Sequence, residues 1–129
     1  MEQNHISIKS VLVVEDEPGI AQVCVRTLTA EGFQVDIAVN GEIGLDMWRE
    51  KNYDLCISDI RTPHMSGIEL FQHLENENPA AVKKFIFTTG DVLSANVKEF
   101  LEATGMPYLP KPFTPEELRA IVRKALVMV

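Results

Sequence analysis

The chain is poor in cysteine, in positive charge and in long apolar runs, and each shortage removes a class of function. Its two cysteines, Cys24 and Cys56, form no CxxC and have no second ligand at metal spacing, which excludes a disulfide framework and a thiolate metal site. Each falls in an apolar pattern and is read as a small buried residue of a reducing, cytoplasmic compartment. Twelve Lys and Arg against 19 Asp and Glu leave a net charge of −7. That balance argues against direct nucleic-acid binding, which relies on basic groups to displace counterions. No apolar run approaches the ~20 residues of a membrane span. Met1 to His5 lacks a basic region followed by an apolar stretch, so no signal peptide is expected, and residues 1–9 are read as a short flexible leader. A Gly-rich phosphate-cradling loop is also missing. After the first apolar run comes Glu15-Asp16-Glu17-Pro18-Gly19, which repels phosphate, and this disfavours a nucleotide- or flavin-binding module. The three histidines, His5, His64 and His73, are scattered and read as surface residues.

What the chain does contain is a set of short apolar runs, each closed by a polar group. Val11 to Val14 leads into Glu15-Asp16, and Leu55 to Ser58 leads into Asp59. Phe85 to Phe87 leads into Thr88 and Thr89, and Tyr108 to Pro110 leads into Lys111. Runs of this length, separated by helical patterns, read as buried parallel strands. The spacing predicts strands over about 10–14, 34–39, 54–58, 84–88 and 108–110, and helices over about 18–30, 41–51, 68–76, 92–103 and from 115 onward. Pro18 suits a first helical turn, and Gly32 and Gly105 suit helix ends. Asn78-Pro79 breaks the chain. Thr114-Pro115-Glu116-Glu117 reads as an N-cap, a first-turn proline and two first-turn acids.

Alternating strands and helices argue for an α/β fold, a doubly wound parallel sheet with helices on both faces. Ligands of such sheets bind at the carboxyl ends of the strands. Three carboxylates, a hydroxyl and an ammonium should therefore converge on one crevice. That inventory suits a divalent metal and a phosphoryl group: a carboxylate can attack phosphorus and hold an acyl phosphate, provided cations neutralise the assembled negative charge. Thr88 competes with Thr89 for the hydroxyl role, because side chains alternate along a strand and only one of the two can face the site.

The order and spacing of these residues resemble the receiver domain of bacterial response regulators, the CheY-like family, over roughly residues 10–129. The resemblance implies a five-stranded, flavodoxin-like (βα)5 domain with strand order 2-1-3-4-5. It assigns Asp59 in Ile57-Ser-Asp-Ile-Arg-Thr-Pro63 as phosphoacceptor, Thr89 with the small Gly90 behind it as switch threonine, and Lys111-Pro112-Phe113 as the lysine motif, with a cis Lys111-Pro112 bond. Tyr108 takes the place of the switch aromatic. The metal set is Glu15, Asp16, Asp59 and the backbone carbonyl of Arg61, around Mg2+ with Mn2+ as an alternative. Arg61 and Asp91 stand two residues after the phosphoacceptor and the switch threonine, at the rim, where they would tune the lifetime of the phosphoryl group. Two residues depart from the usual pattern. Thr62 stands where methionine is common, and Pro110 makes the lysine motif Pro-Lys-Pro.

The implied function is a phosphoacceptor of two-component or phosphorelay signalling. It would be phosphorylated by a histidine kinase or a histidine phosphotransfer domain and would act on a downstream protein target, with a weak homodimer as a further partner. It would be a signalling domain catalysing its own phosphorylation and dephosphorylation, with its output carried by helix 4, strand 5 and helix 5. No output domain fits after Val129, which gives a stand-alone receiver or the receiver of a hybrid histidine kinase. Two alternatives remain at this stage. One is a receiver-like module that binds partners without phosphorylation. The other is an aspartyl-phosphate hydrolase, disfavoured because Asp59-Ile60-Arg61 lacks a second aspartate two residues on.

Overall fold

The computed structural model describes residues 9–91 and 94–127. Most of the expected leader, and the expected helix start at Val92 and Leu93, lie outside the described residues. The elements run β1 (Ser10–Val14), α1 (Pro18–Ala30), β2 (Gln34–Ala38), α2 (Gly41–Glu50), β3 (Leu55–Asp59), α3 (Gly67–Glu77), a 3-10 helix (Pro79–Lys84), β4 (Phe85–Thr89), α4 (Ala95–Thr104), β5 (Tyr108–Pro110) and α5 (Pro115–Val127). The five strands are parallel, in the order β2-β1-β3-β4-β5.

Every residue of β1, β3 and β4 is buried, as expected of central strands covered on both faces. Side chains alternate, so each strand feeds two cores. Leu12, Val14, Cys56, Phe85 and Phe87 meet Leu70, Leu74, Val97 and Leu101 on one face. Val11, Val13, Leu55, Ile57 and Ile86 meet Cys24, Leu28, Leu118 and Val122 on the other. Phe71 knits the first core together, its ring centroid 5.6 Å from those of Phe85 and Phe87 and 5.5 Å from that of Phe100. Such edge-on pairs add about 0.5–1.5 kcal/mol each beyond area burial. Burial pushes the Cys24 thiol up to about 12, which makes it an inert core residue, as the sequence suggested.

The helix ends follow the capping residues. Asn40 Oδ1 accepts from Ile43 N at 2.9 Å. Ser66 with Glu69 and Thr114 with Glu117 each form a reciprocal capping box. Gly105 closes α4 at φ 66°, a left-handed conformation that glycine adopts without Cβ strain. Several boundaries differ from the sequence reading, most by a single residue. β3 and β4 each run one residue further and take in Asp59 and Thr89. The break at Asn78-Pro79 opens a 3-10 helix, with Asn78 as its cap. Helix α4 begins at Ala95 rather than 92, with Ser94 as N-cap. Among the described residues no helix is long and apolar enough to cross a membrane.

Candidate functional site

The chemistry collects where β1, β3, β4 and β5 end. Parallel register brings the ends level: Val14 pairs with Ser58, Asp59 with Thr88, and Thr89 with Pro110. Glu15 and Asp16 therefore leave β1 beside Asp59, and Lys111 leaves β5 on the far side of β4. Glu15, Asp16 and Asp59 each offer a carboxylate oxygen, and these lie within 4.8 Å of one another. Glu15 and Asp59 are buried and Asp16 is exposed, so the cluster has a closed floor and an open mouth.

Lys111 is the cation of this cluster. Its Nζ lies 2.7 Å from Asp59 Oδ2 and 3.0 Å from Glu15 Oε1. The sequence brought Lys111 to the same crevice as the carboxylates, without foreseeing the contact to Glu15. Burial works against the ammonium, yet hydrogen bonds to Asp59 and Glu15 outweigh it and its pKa stands above the ordinary lysine value. Glu15 is shifted upward, chiefly by burial and further by the Asp59 charge, against the pull of Lys111. The remaining oxygens have lighter partners. Asp59 Oδ1 accepts from Arg61 N at 3.2 Å, and Glu15 Oε2 accepts from Glu17 N at 3.2 Å.

Thr88 and Thr89 are both buried. Thr89 shares the sheet face of Phe85 and Phe87, whereas Thr88 sits level with Asp59. Thr89 Oγ1 accepts from Asp91 N at 3.0 Å, which leaves its hydroxyl hydrogen as a donor. Tyr108 opens β5 with 43% of its surface exposed. Arg61 and Asp91, expected at the rim, are joined there: Arg61 Nη2 lies 2.6 Å from Asp91 Oδ2, with both side chains largely in solvent. The Lys111-Pro112 bond is cis.

Two supporting contacts come from backbone proximity. A Cβ on Gly67 would stand 2.3 Å from the Asp59 carbonyl oxygen and 2.9 Å from Ser58 Oγ, so only glycine lets α3 begin against the end of β3. Gly67 N also donates to Ile60 O at 2.9 Å. The spacing places Gly67 in the loop ahead of a helix from about 68 and Gly41 at the start of a helix, and foresees neither close approach: a Cβ on Gly41 would stand 2.1 Å from Met65 O, and Gly41 N donates to that oxygen at 3.1 Å. Thr62, one of the departures from the family pattern, donates its hydroxyl to the same Met65 carbonyl and so helps to tie the loop.

Comparison with known proteins agrees with this arrangement. The family described as the response regulator receiver domain matches residues 11–123. The transcriptional regulatory protein CreB of Escherichia coli (strain K12) is 36% identical over 118 residues, covering 92% of this chain and 51% of CreB. The chain spans about half the length of the curated relatives it matches. Among solved structures, the response regulator TrrA of Thermotoga maritima, in complex with Mg2+-BeF, superposes with a TM-score of 0.78 at 33% identity, covering 92% of this chain and all (100%) of TrrA. The receiver domain of the sensor histidine kinase PA1611 of Pseudomonas aeruginosa, with a magnesium ion in its cleft, gives 0.82 at 28% identity, with 94% and 99% covered. With the family match running over most of the sequence and the carboxylates, threonine and lysine meeting at the carboxyl ends of the strands, this chain belongs to the response regulator receiver domains of two-component signalling.

Proposed function

We propose that Asp59 accepts a phosphoryl group from a phosphohistidine, on a histidine kinase or a phosphotransfer domain, in the cytoplasm. An Asp59 carboxylate oxygen forms the new bond to phosphorus as the bond to the imidazole nitrogen breaks. The electron pair stays on the imidazole, which takes up a proton. Lys111 carries the reading. Its ammonium already rests against Asp59 and Glu15, so it can follow the charge as a phosphoryl oxygen arrives on Asp59. Thr89 supplies a hydroxyl donor to a second oxygen. Tyr108 then follows Thr89 inward, which alters the surface of α4, β5 and α5 for a downstream protein.

The donor set suits a hard cation. Three carboxylates stand within 4.8 Å, two of them buried, where their mutual repulsion is strongest. Asp16 and Asp59 would bind Mg2+ directly, with Mn2+ as the alternative, Glu15 through water, and Arg61 through its backbone carbonyl. The bound ion would supply neutralisation of the anionic nucleophile and phosphate. With that charge balance the domain catalyses its own phosphorylation and dephosphorylation, acting on itself rather than on a separate substrate. CreB is named a transcriptional regulator, and a DNA target for a longer protein carrying this domain is compatible with protein partners for the domain itself.

Incubation with a small phosphodonor and Mg2+ tests the assignment. One phosphoryl mass, labile to base, is expected on the wild type and none on Asp59→Asn, whose amide is a poor nucleophile. The full mass shift in that variant would move the acceptor elsewhere.

A further inference from the structure

Three of the four large apolar side chains exposed among the described residues come from β2, its end and the start of α2, at the sheet edge opposite the β5 of Tyr108. They are Ile37 (37%), Val39 (54%) and Ile43 (41%). Ile37 belongs to β2, and Val39 and Ile43 flank the β2–α2 junction. β2 is an edge strand. Gln34 N donates to Lys9 O, and Ala38 O accepts from Glu15 N, so the even-numbered residues of β2 turn their peptide groups toward β1. The odd-numbered ones, Val35 and Ile37, turn theirs outward, away from β1, the strand with which β2 pairs among the described residues. An apolar edge with open donors and acceptors is a template for another strand.

We infer that this edge pairs with the same edge of a second copy, β2 against β2 in antiparallel orientation about a twofold axis at Ile37, to make one continuous ten-stranded sheet. The sequence of the edge decides the occupant, because it is self-complementary about Ile37. Ile37 stands opposite itself, Val35 opposite Val39, Asp36 opposite Ala38, and Gln34 opposite Asn40. Apolar side chains meet on one face and no like charges are opposed, as an isologous interface requires. The one acid in the register, Asp36, is already occupied within its own subunit. It accepts from Tyr53 Oη at 2.7 Å and Lys51 Nζ at 3.0 Å. That pairing also neutralises the lysine, which at an edge would otherwise repel a neighbouring strand. A single short strand pair is a small interface, so association is weak, with a dissociation constant of about 0.1–1 mM.

The test is sedimentation of the full chain from micromolar to millimolar concentration, with two variants. The wild type is expected to shift from monomer to dimer over that range. Ile37→Lys sets two charges against each other at the axis and should stay monomeric throughout, with an unfolding midpoint within about 2 °C of the wild type, since the position is exposed. Ile37 would form a hydrogen-bonded antiparallel pair with its counterpart, at a Cα separation of about 5.5 Å, within disulfide range. Ile37→Cys should therefore cross-link on mild oxidation much faster than Glu102→Cys on α4, the native thiols being buried. A wild type that remains monomeric at millimolar concentration overturns the inference and leaves the edge to an extended segment of another protein. A dimer that survives Ile37→Lys, or equal cross-linking of the two cysteine variants, overturns it by placing the contact elsewhere.

Discussion

Lys111 and Glu15 form an ion pair, 3.0 Å between Nζ and Oε1, that reaches across the sheet from the end of β5 to the end of β1. It is the second half of a fork whose first half holds Asp59 at 2.7 Å. One ammonium thus serves two buried carboxylates, and the site carries more negative than positive charge.

The imbalance gives a first prediction, in pH. The Glu15 carboxyl is shifted upward from 4.5, chiefly by burial. A carboxyl with a raised folded-state pKa binds more protons folded than unfolded, so its contribution to stability falls as pH rises from about 4.5 through the folded pKa. Glu15→Gln removes that cost. In EDTA the variant should melt about 2–6 °C above the wild type at neutral pH and level with it well below pH 4.5, measured by thermal unfolding across pH. A variant that melts lower at neutral pH would show that the bond to Lys111 outweighs the burial of the charge.

Asp16 gives the second. It is the exposed member of the carboxylate cluster, so Asp16→Asn should leave the metal-free fold almost unchanged. Any ligand selective for the folded state raises stability, by about 1.4 kcal/mol at ten times its dissociation constant. Mg2+ should therefore raise the melting temperature of the wild type and do so weakly or not at all in Asp16→Asn, with phosphorylation reduced in parallel. An equal Mg2+ response in the two proteins would place the ion elsewhere.

Gly67→Ala is the third. The added methyl has to displace the backbone of Asp59 or Gly67 itself, since the nearby carbonyl and hydroxyl belong to β3 and are hydrogen-bonded to each other. Overpacking of this kind costs about 1–3 kcal/mol. Here it also moves the phosphoacceptor. The variant should unfold at lower denaturant concentration and take up phosphoryl groups more slowly, whereas Gly19→Ala, with open space around its Cβ, should change neither.

The close approaches at Gly67 and Gly41 show what a sequence leaves hidden. Strands β1 and β5 and helix α1 were readable to the residue, because apolar runs of buried strands stop where the chain meets the polar crevice and Pro18 marks a helix start. Asp59 and Thr89 were recognisable as strand-end groups from the same logic. The Glu15–Lys111 pair was not, because it joins the first and last functional segments across two intervening strands of the sheet. Gly41 was hidden for a different reason. Its constraint is a neighbour 24 residues away in the loop after β3, and the glycine shows no positive φ, so Asn40-Gly41 reads only as a helix start. The 3-10 helix after Asn78 was read only as a break, since Pro79 is equally compatible with a loop or a first helical turn.

The last prediction concerns how long a phosphoryl group would survive on Asp59. Hydrolysis needs a water in line with phosphorus, opposite the aspartate oxygen, and that water enters from the open side of the crevice. Arg61 and Asp91 stand on the two loops that border this side, and they are bonded to each other at 2.6 Å. Their side chains are 62% and 46% exposed, so the pair contributes below about 1 kcal/mol to the fold. Its effect on rate is a separate quantity. A guanidinium tied to Asp91 at this rim would obstruct one water position, which would change the barrier to hydrolysis without changing the stability of the domain. Asp91 also donates its backbone N–H to Thr89 Oγ1, a bond that an alanine keeps. Arg61 likewise donates to Asp59 through its backbone. Replacing both side chains therefore removes the cover and leaves the backbone contacts of the acceptor and the threonine in place. Arg61→Ala with Asp91→Ala should melt within about 1–3 °C of the wild type and accept phosphate to the same extent, while losing it several-fold faster. The measurement is decay of the base-labile phosphoryl mass after removal of the donor. An unchanged or slower decay would show that the ion pair lies aside from the path of the water.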